Sequence, residues 1–188
     1  MTGIILVAVF GIIVLIIGIV MVNNLIMRRN QVENAFAGID AQLKKRFDLI
    51  PNLVAAVREY MTHERGVLED ITALRTKVEE PGLPLEEKLE LDHKLSGMLR
   101  GLMVQVENYP QLKASANMEQ LQRSLNEVEE QLAAGRRAYN AAVTAYNNSV
   151  EMFPSNIAAA ILGYQRRTLF SIPEAERENV DVGALFKG

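Results

Sequence analysis

The sequence predicts an all-α membrane protein, with an N-terminal transmembrane helix followed by an antiparallel four-helix bundle. Three observations carry this expectation. No charged residue occurs from Gly3 to Val22. Beyond it, four stretches place apolar residues at alternating steps of three and four, the spacing of one helix face. No strand-like alternation of useful length precedes Ile172. The expected organisation is an anchor over 1–27, a helical bundle over 28–153, and a short apolar helix and tail over 154–188.

About 20 apolar residues at 1.5 Å each cross a hydrocarbon core of roughly 30 Å. The uncharged stretch reaches that length, and a core helix of a soluble domain would show a polar face. It lacks the basic leading region and the A-x-A site of a cleaved signal, so it reads as a retained anchor meeting lipid through residues 4–26. Arg28 and Arg29 follow the span and nothing basic precedes it. Positive residues stay inside, which predicts a bacterial inner (cytoplasmic) membrane protein with a short N-terminus outside and its C-terminal domain in the cytoplasm. Gly11 and Gly18, one heptad apart, give the span a small-residue face suited to self-association.

The first stripe after the anchor is Val32, Phe36, Ile39, Leu43, Phe47 and Ile50. Pro51 then predicts a kink or tight break, with a bent continuous rod as the alternative. Leu53, Val57, Tyr60, Leu68, Ile71, Leu74 and Val78 continue the apolar face. "EEPGLPLEE" (79–87) forces a turn, and Glu86 and Glu87 suit the positive end of the helix that Pro84 opens. Leu91, Leu95, Met98, Leu102, Val106 and Tyr109 form its stripe, which stops at Pro110. Asn117 with Gln120 resembles a capping box for the last helix. That helix carries the most regular stripe, from Leu121 through Val128, Tyr139, Val143 and Tyr146 to Phe153. Amphipathic helices of this kind bury their stripes on one another with coiled-coil-like seams.

A formal charge of −3 disfavours general nucleic-acid binding, and the lack of cysteine removes disulfides and thiolate metal sites. His63-Glu64 opens like a zinc-protease H-E-x-x-H, but Val67 occupies the second histidine's place. Glu90 and His93 supply a single Glu-x-x-His where a di-iron bundle needs two. No serine elbow motif is present. The reading is therefore no catalytic, cofactor or metal site, with a metal-binding or hydrolytic enzyme using His63, Glu64, Glu90 and His93 as the rival. A second rival is a membrane-shaping protein whose segment Ile157–Leu162 contacts lipid.

Two polar groupings remain. Arg46, Asp48 and Asn52 surround Pro51 and are expected to form a structural polar cluster there. Tyr139-Asn140 and Tyr146-Asn147 repeat after one heptad, and either line a ligand site or fix helix packing. The tyrosines sit on the stripe, so the packing reading is preferred, with the asparagines bonding tyrosine hydroxyls or backbone freed at Pro51.

The stretches "RNQVENAFAGIDAQLKKRFDLIPNLV" (29–54), "HE" (63–64), "VENYPQLKA" (106–114) and "RRAYNAAVTAYNNSVEMFPSNIAA" (136–159) together resemble the LemA family, in order and over nearly the whole chain. The resemblance implies a membrane-anchored protein with a compact, mostly antiparallel four-helix domain. It also implies kinship with proteins of membrane-bound organelles in magnetic bacteria, and it brings no reaction with it. The expected function is that of a single-pass membrane scaffold or interaction protein. Its expected partners are the bilayer, further copies of itself and an unidentified protein, and not nucleic acid.

Overall fold

The computed structural model describes residues 1–61 and 65–170. Every regular element among them is a helix: α1 (Thr2–Arg58), α2 (Arg65–Val78), α3 (Leu85–Val106), α4 (Pro110–Lys113), α5 (Ala116–Glu151) and α6 (Ser155–Ile161). The chain divides into two compact units. One comprises residues up to Val32 with those from Tyr139 onward, and the other is Glu33–Ala138. Helices α1 and α5 supply residues to both.

In the first unit, α1 is long and apolar enough to cross a membrane, and its most apolar stretch is uncovered by the other described residues. Full burial starts at Leu25 and continues at Val32. From α5, the unit takes the buried residues Tyr139, Val143, Tyr146 and Asn147. Helix α6 ends in a Schellman motif: Tyr164 N–H donates to the Ala159 carbonyl at 2.9 Å, and Gly163 N–H to that of Ala160 at 3.2 Å. Gly163 takes a φ of +68°, which a side chain would resist, and the chain leaves it as a non-helical segment from Tyr164 to Phe170. Phe153, expected to close the α5 stripe, lies past the end of that helix and is 79% exposed.

In the second unit, α1 buries Ile39, Leu43, Phe47, Ile50, Leu53 and Val57. The break expected at Pro51 is absent, and the helix runs through it to Arg58. Proline there removes one N–H and crowds the carbonyl four residues back. Breaking the helix would instead misplace Phe47, Ile50, Leu53 and Val57, whose combined burial favours continuity. The chain turns later, where Tyr60 and Met61 both donate to the Val57 carbonyl.

Helix α3 opens after Pro84 with Glu86 and Glu87 in its first turn, and Gly82 supplies the left-handed turn residue before it at φ +82°. Leu99, rather than Met98, joins its fully buried stripe. Helix α5 starts earlier than the Asn117–Gln120 capping box required: Ser115 Oγ accepts from Met118 N–H at 3.2 Å, so the serine caps it. Contacts fix the running directions. Ile39 meets Gly135 and Lys45 meets Glu127, so α1 and α5 run oppositely. Asp40 meets Lys88 and Arg46 meets Asp92, so α1 and α3 run the same way.

Candidate functional site

Each unit holds one constellation of polar groups. In the first, α5 places Asn140 and Asn147 two turns apart, and both grip the Tyr164–Phe170 segment. Asn140 Nδ2 donates to the Phe170 carbonyl at 3.0 Å, while Phe170 N–H donates to Asn140 Oδ1 at 2.8 Å. Asn147 repeats the pattern on Arg167, with both bonds at 2.9 Å. An amide side chain offers this donor and acceptor side by side at any ordinary pH.

Tyr146 adds a fifth bond from its hydroxyl to the Gln165 carbonyl at 3.0 Å. Desolvation by burial raises the pKa of that hydroxyl, which keeps it a donor. Ring contacts flank the clamps. Tyr139 lies 4.3 Å from the Phe170 ring, and the Arg167 guanidinium sits 5.8 Å from the centre of the Tyr146 ring. Arg29 approaches Tyr164, and Arg166 pairs with Glu151 at 2.8 Å. Five of the polar contacts thus go to main chain, and the site reads a non-helical backbone more than a sequence.

In the second unit, Arg46 of α1 and Asp92 of α3 are both buried, with Nη1 2.7 Å from Oδ1. Arg136 of α5 donates to the other oxygen of Asp92 at 3.1 Å, and Glu129 stands 2.7 Å from Arg46 Nη2. Arg46 Nε is buried without a hydrogen-bond partner. Burial pushes the Asp92 carboxyl above its ordinary pKa, and Arg46 beside it pulls in the other direction without cancelling the rise. Lys88–Asp40 at 2.7 Å adds a more exposed tie between α1 and α3. Ionic pairs of this kind hold helices in register.

The expected polar cluster around Pro51 is not brought together. Arg46 turns to Asp92, exposed Asp48 pairs with Lys44 at 3.0 Å one turn earlier, and Asn52 is exposed. The Tyr-Asn repeat is brought together, but on the segment beyond α6 instead of on tyrosine hydroxyls or the Pro51 backbone. A Cβ built on Gly11 or Gly18 meets nothing within 4 Å. Glu90 and His93 are both exposed on α3, while His63 and Glu64 lie outside the described residues. Among the described residues, no group of three His, Asp or Glu is placed to hold a metal ion.

Sequence reasoning missed Asp92, Arg136 and the Gln165–Phe170 segment. Asp92 had a usable signal, since it lies three residues before Leu95 and seven before Leu99, inside the apolar stripe of α3. The extended segment had none, because its partners are main-chain atoms that no residue type announces.

A sequence model of the LemA family matches residues 35–183. The chain belongs to the LemA family. The match includes the second polar constellation and all of the first except Arg29, and leaves the apolar span outside. A relative in the LemA family, Protein LemA of Metamycoplasma hominis, is 28% identical over 163 residues, covering 87% of this chain and 74% of its own length. Two magnetosome proteins of Paramagnetospirillum magneticum, MamQ 1 and MamQ 2, are each 25% identical over 173 residues. That similarity covers 79% of this chain and 64% of each magnetosome protein.

Proposed function

We propose that this LemA-family chain is a single-pass, membrane-anchored helical scaffold that acts by interaction, without a catalytic site or cofactor. The observation that carries the reading is the uncovered apolar stretch of α1, which continues as one helix into buried positions from Leu25 onward. An apolar surface of that length costs least in lipid. The likeness to proteins of magnetosomes supports a membrane setting. In this reading, the span lies in a bacterial inner membrane with Arg28 and Arg29 on the cytoplasmic side. The helices of the second unit close as an antiparallel four-helix bundle, and copies associate through the Gly11 and Gly18 face. A further protein partner is recognised by the cytoplasmic part, and nucleic acid is not a ligand.

Native-gel migration of the full chain tests self-association. Gly11→Leu with Gly18→Leu should lower the oligomer, and unchanged migration removes that face from the reading. A reporter fused after Gly188 tests orientation; activity of a reporter that works only when exported would reverse it.

A second reading has its own observation. Phe153, Ile157 and Ile161 are 79%, 54% and 80% exposed at the end of α5 and on α6, an apolar group without cover from the described chain. Such side chains suit the bilayer surface beside the anchor. The chain has no tryptophan, so Phe153→Trp creates a sole reporter. Quenching of its fluorescence by brominated lipids supports lipid contact, and fluorescence unaffected by them dismisses it.

A further inference from the structure

The asparagine clamps have the geometry of a peptide receptor. Seven helical residues separate Asn140 from Asn147, a rise of about 10.5 Å. Phe170 lies three positions after Arg167, and three positions of extended chain span about 10 Å. The two repeats coincide, so an extended chain lying along α5 presents the N–H and the carbonyl of one residue to each amide side chain. Side-chain selection rests on a cation at the Tyr146 ring and, three residues later, an aromatic at Tyr139, with a more exposed ion pair from Arg166 to Glu151 between the segment and α5. The bound segment is otherwise open, since Gln165, Arg166, Thr168 and Leu169 are all exposed. It joins α6 through Gly163, itself exposed and already in a left-handed turn.

A second copy of the chain carries the same cation, the same aromatic and the same spacing. Exchange between copies would preserve all five hydrogen bonds and both ring contacts, which makes such exchange inexpensive. An anchor confines copies to one plane and raises their encounter frequency; this part of the argument rests on the membrane reading above. We propose that neighbouring copies exchange this segment, each seating its Gln165–Phe170 on Asn140 and Asn147 of the other. The clamps thereby act as a self-recognition site distinct from the glycine face of the span.

The test uses two full-length chains expressed together in membranes. One is wild type with an affinity tag. The other carries Asn140→Ala and Asn147→Ala, a different tag, and the photocrosslinker p-benzoylphenylalanine in place of Phe170. Its segment has no clamp of its own, so irradiation should join the two chains covalently at the wild-type Tyr139 region. The adduct should be lost when the first chain also carries Asn140→Ala and Asn147→Ala. The second chain only has to present its segment, so any misfolding of its own site does not spoil the experiment.

The proposal is overturned if no mixed adduct forms, if the adduct survives loss of both clamp pairs, or if the probe captures only another protein. The same probe in an otherwise wild-type chain must react near Tyr139, within one chain or between two; no reaction there also overturns it. Native gels separate this from the scaffold reading. An oligomer without a mixed adduct leaves self-association standing and removes the exchange, whereas a monomer without adduct removes both.

Discussion

Replacing Asp92 with alanine tests whether the buried charges govern the second unit. Asp92 is fully buried and gives one oxygen to Arg46, itself 5% exposed, and the other to Arg136. The substitution strands the Arg46 guanidinium, whose Nε already lacks a partner. Removing one member of a buried pair costs about 3–5 kcal/mol, because the remaining charge stays out of water. Glu129, half-exposed, still stands 2.7 Å from Arg46 and offsets part of this. The lower end is therefore expected, about 3 kcal/mol, which for a chain of this size lowers the melting temperature by about 6–12 °C.

Circular dichroism melts of the full chain in detergent measure the shift. Arg46→Met combined with Asp92→Leu should recover most of it, since an apolar pair of similar volume removes the stranded charge. A shift below about 2 °C for Asp92→Ala refutes the reasoning. So does a double variant that melts as low as the single one, because the loss would then come from packing.

The pH dependence follows from the same group. Burial raises the Asp92 pKa, so the folded chain holds that proton more tightly than the unfolded chain. Its stabilising contribution is complete below the unfolded pKa and is lost as pH rises through the folded one. Wild-type melting should therefore fall relative to Asp92→Asn over that window, and parallel curves contradict this. Asn140→Ala with Asn147→Ala removes four hydrogen bonds and should speed amide exchange at Arg167 and Phe170 about tenfold, at roughly 1 kcal/mol per bond with partial compensation by water. Unchanged exchange in that segment, read by mass spectrometry, argues against the clamps. A Cβ on Gly135 meets Ile39 Cγ1 at 3.2 Å, so Gly135→Leu should cost about 1–3 kcal/mol. Gly101→Ala on the open face of α3 should gain up to about 1 kcal/mol, and melts showing the same sign for both defeat the contrast. Pro51→Ala returns an N–H within reach of the Phe47 carbonyl and should stabilise α1 by up to about 3 kcal/mol; a lower melting temperature refutes this.

Much of the helical framework was legible because burial leaves a periodic trace. Val32, Ile39, Leu43, Phe47 and Ile50 are all buried as their spacing required, as are Leu125, Val128, Leu132 and Val143. Local rules misled where several of them competed. Pro51 has a local penalty, but four flanking apolar side chains outweigh it. Asn117 with Gln120 fits a capping pattern, yet Ser115 lies closer to the true start and takes the role. The clamps were half legible. The Tyr-Asn repeat was visible, whereas its partner is backbone separated from Asn140 by 30 residues, and backbone carries no residue signature. Arg46 was singled out for the wrong neighbours, since helix spacing alone does not reveal which residue of α3 faces α1.

A site that grips main chain frees the sequence it grips. At Arg167 and Phe170, the demand common to both clamps is an N–H and a carbonyl, which every residue except proline supplies. Gln165, Thr168 and Leu169 face outward and are open to drift without loosening the hold. Among descendants of a common ancestor, the asparagine pair should therefore outlast the segment it binds. The same tolerance makes the segment a place to graft foreign epitopes: replacing Gln165, Thr168 and Leu169 should leave the chain's attachment intact while changing the surface it displays.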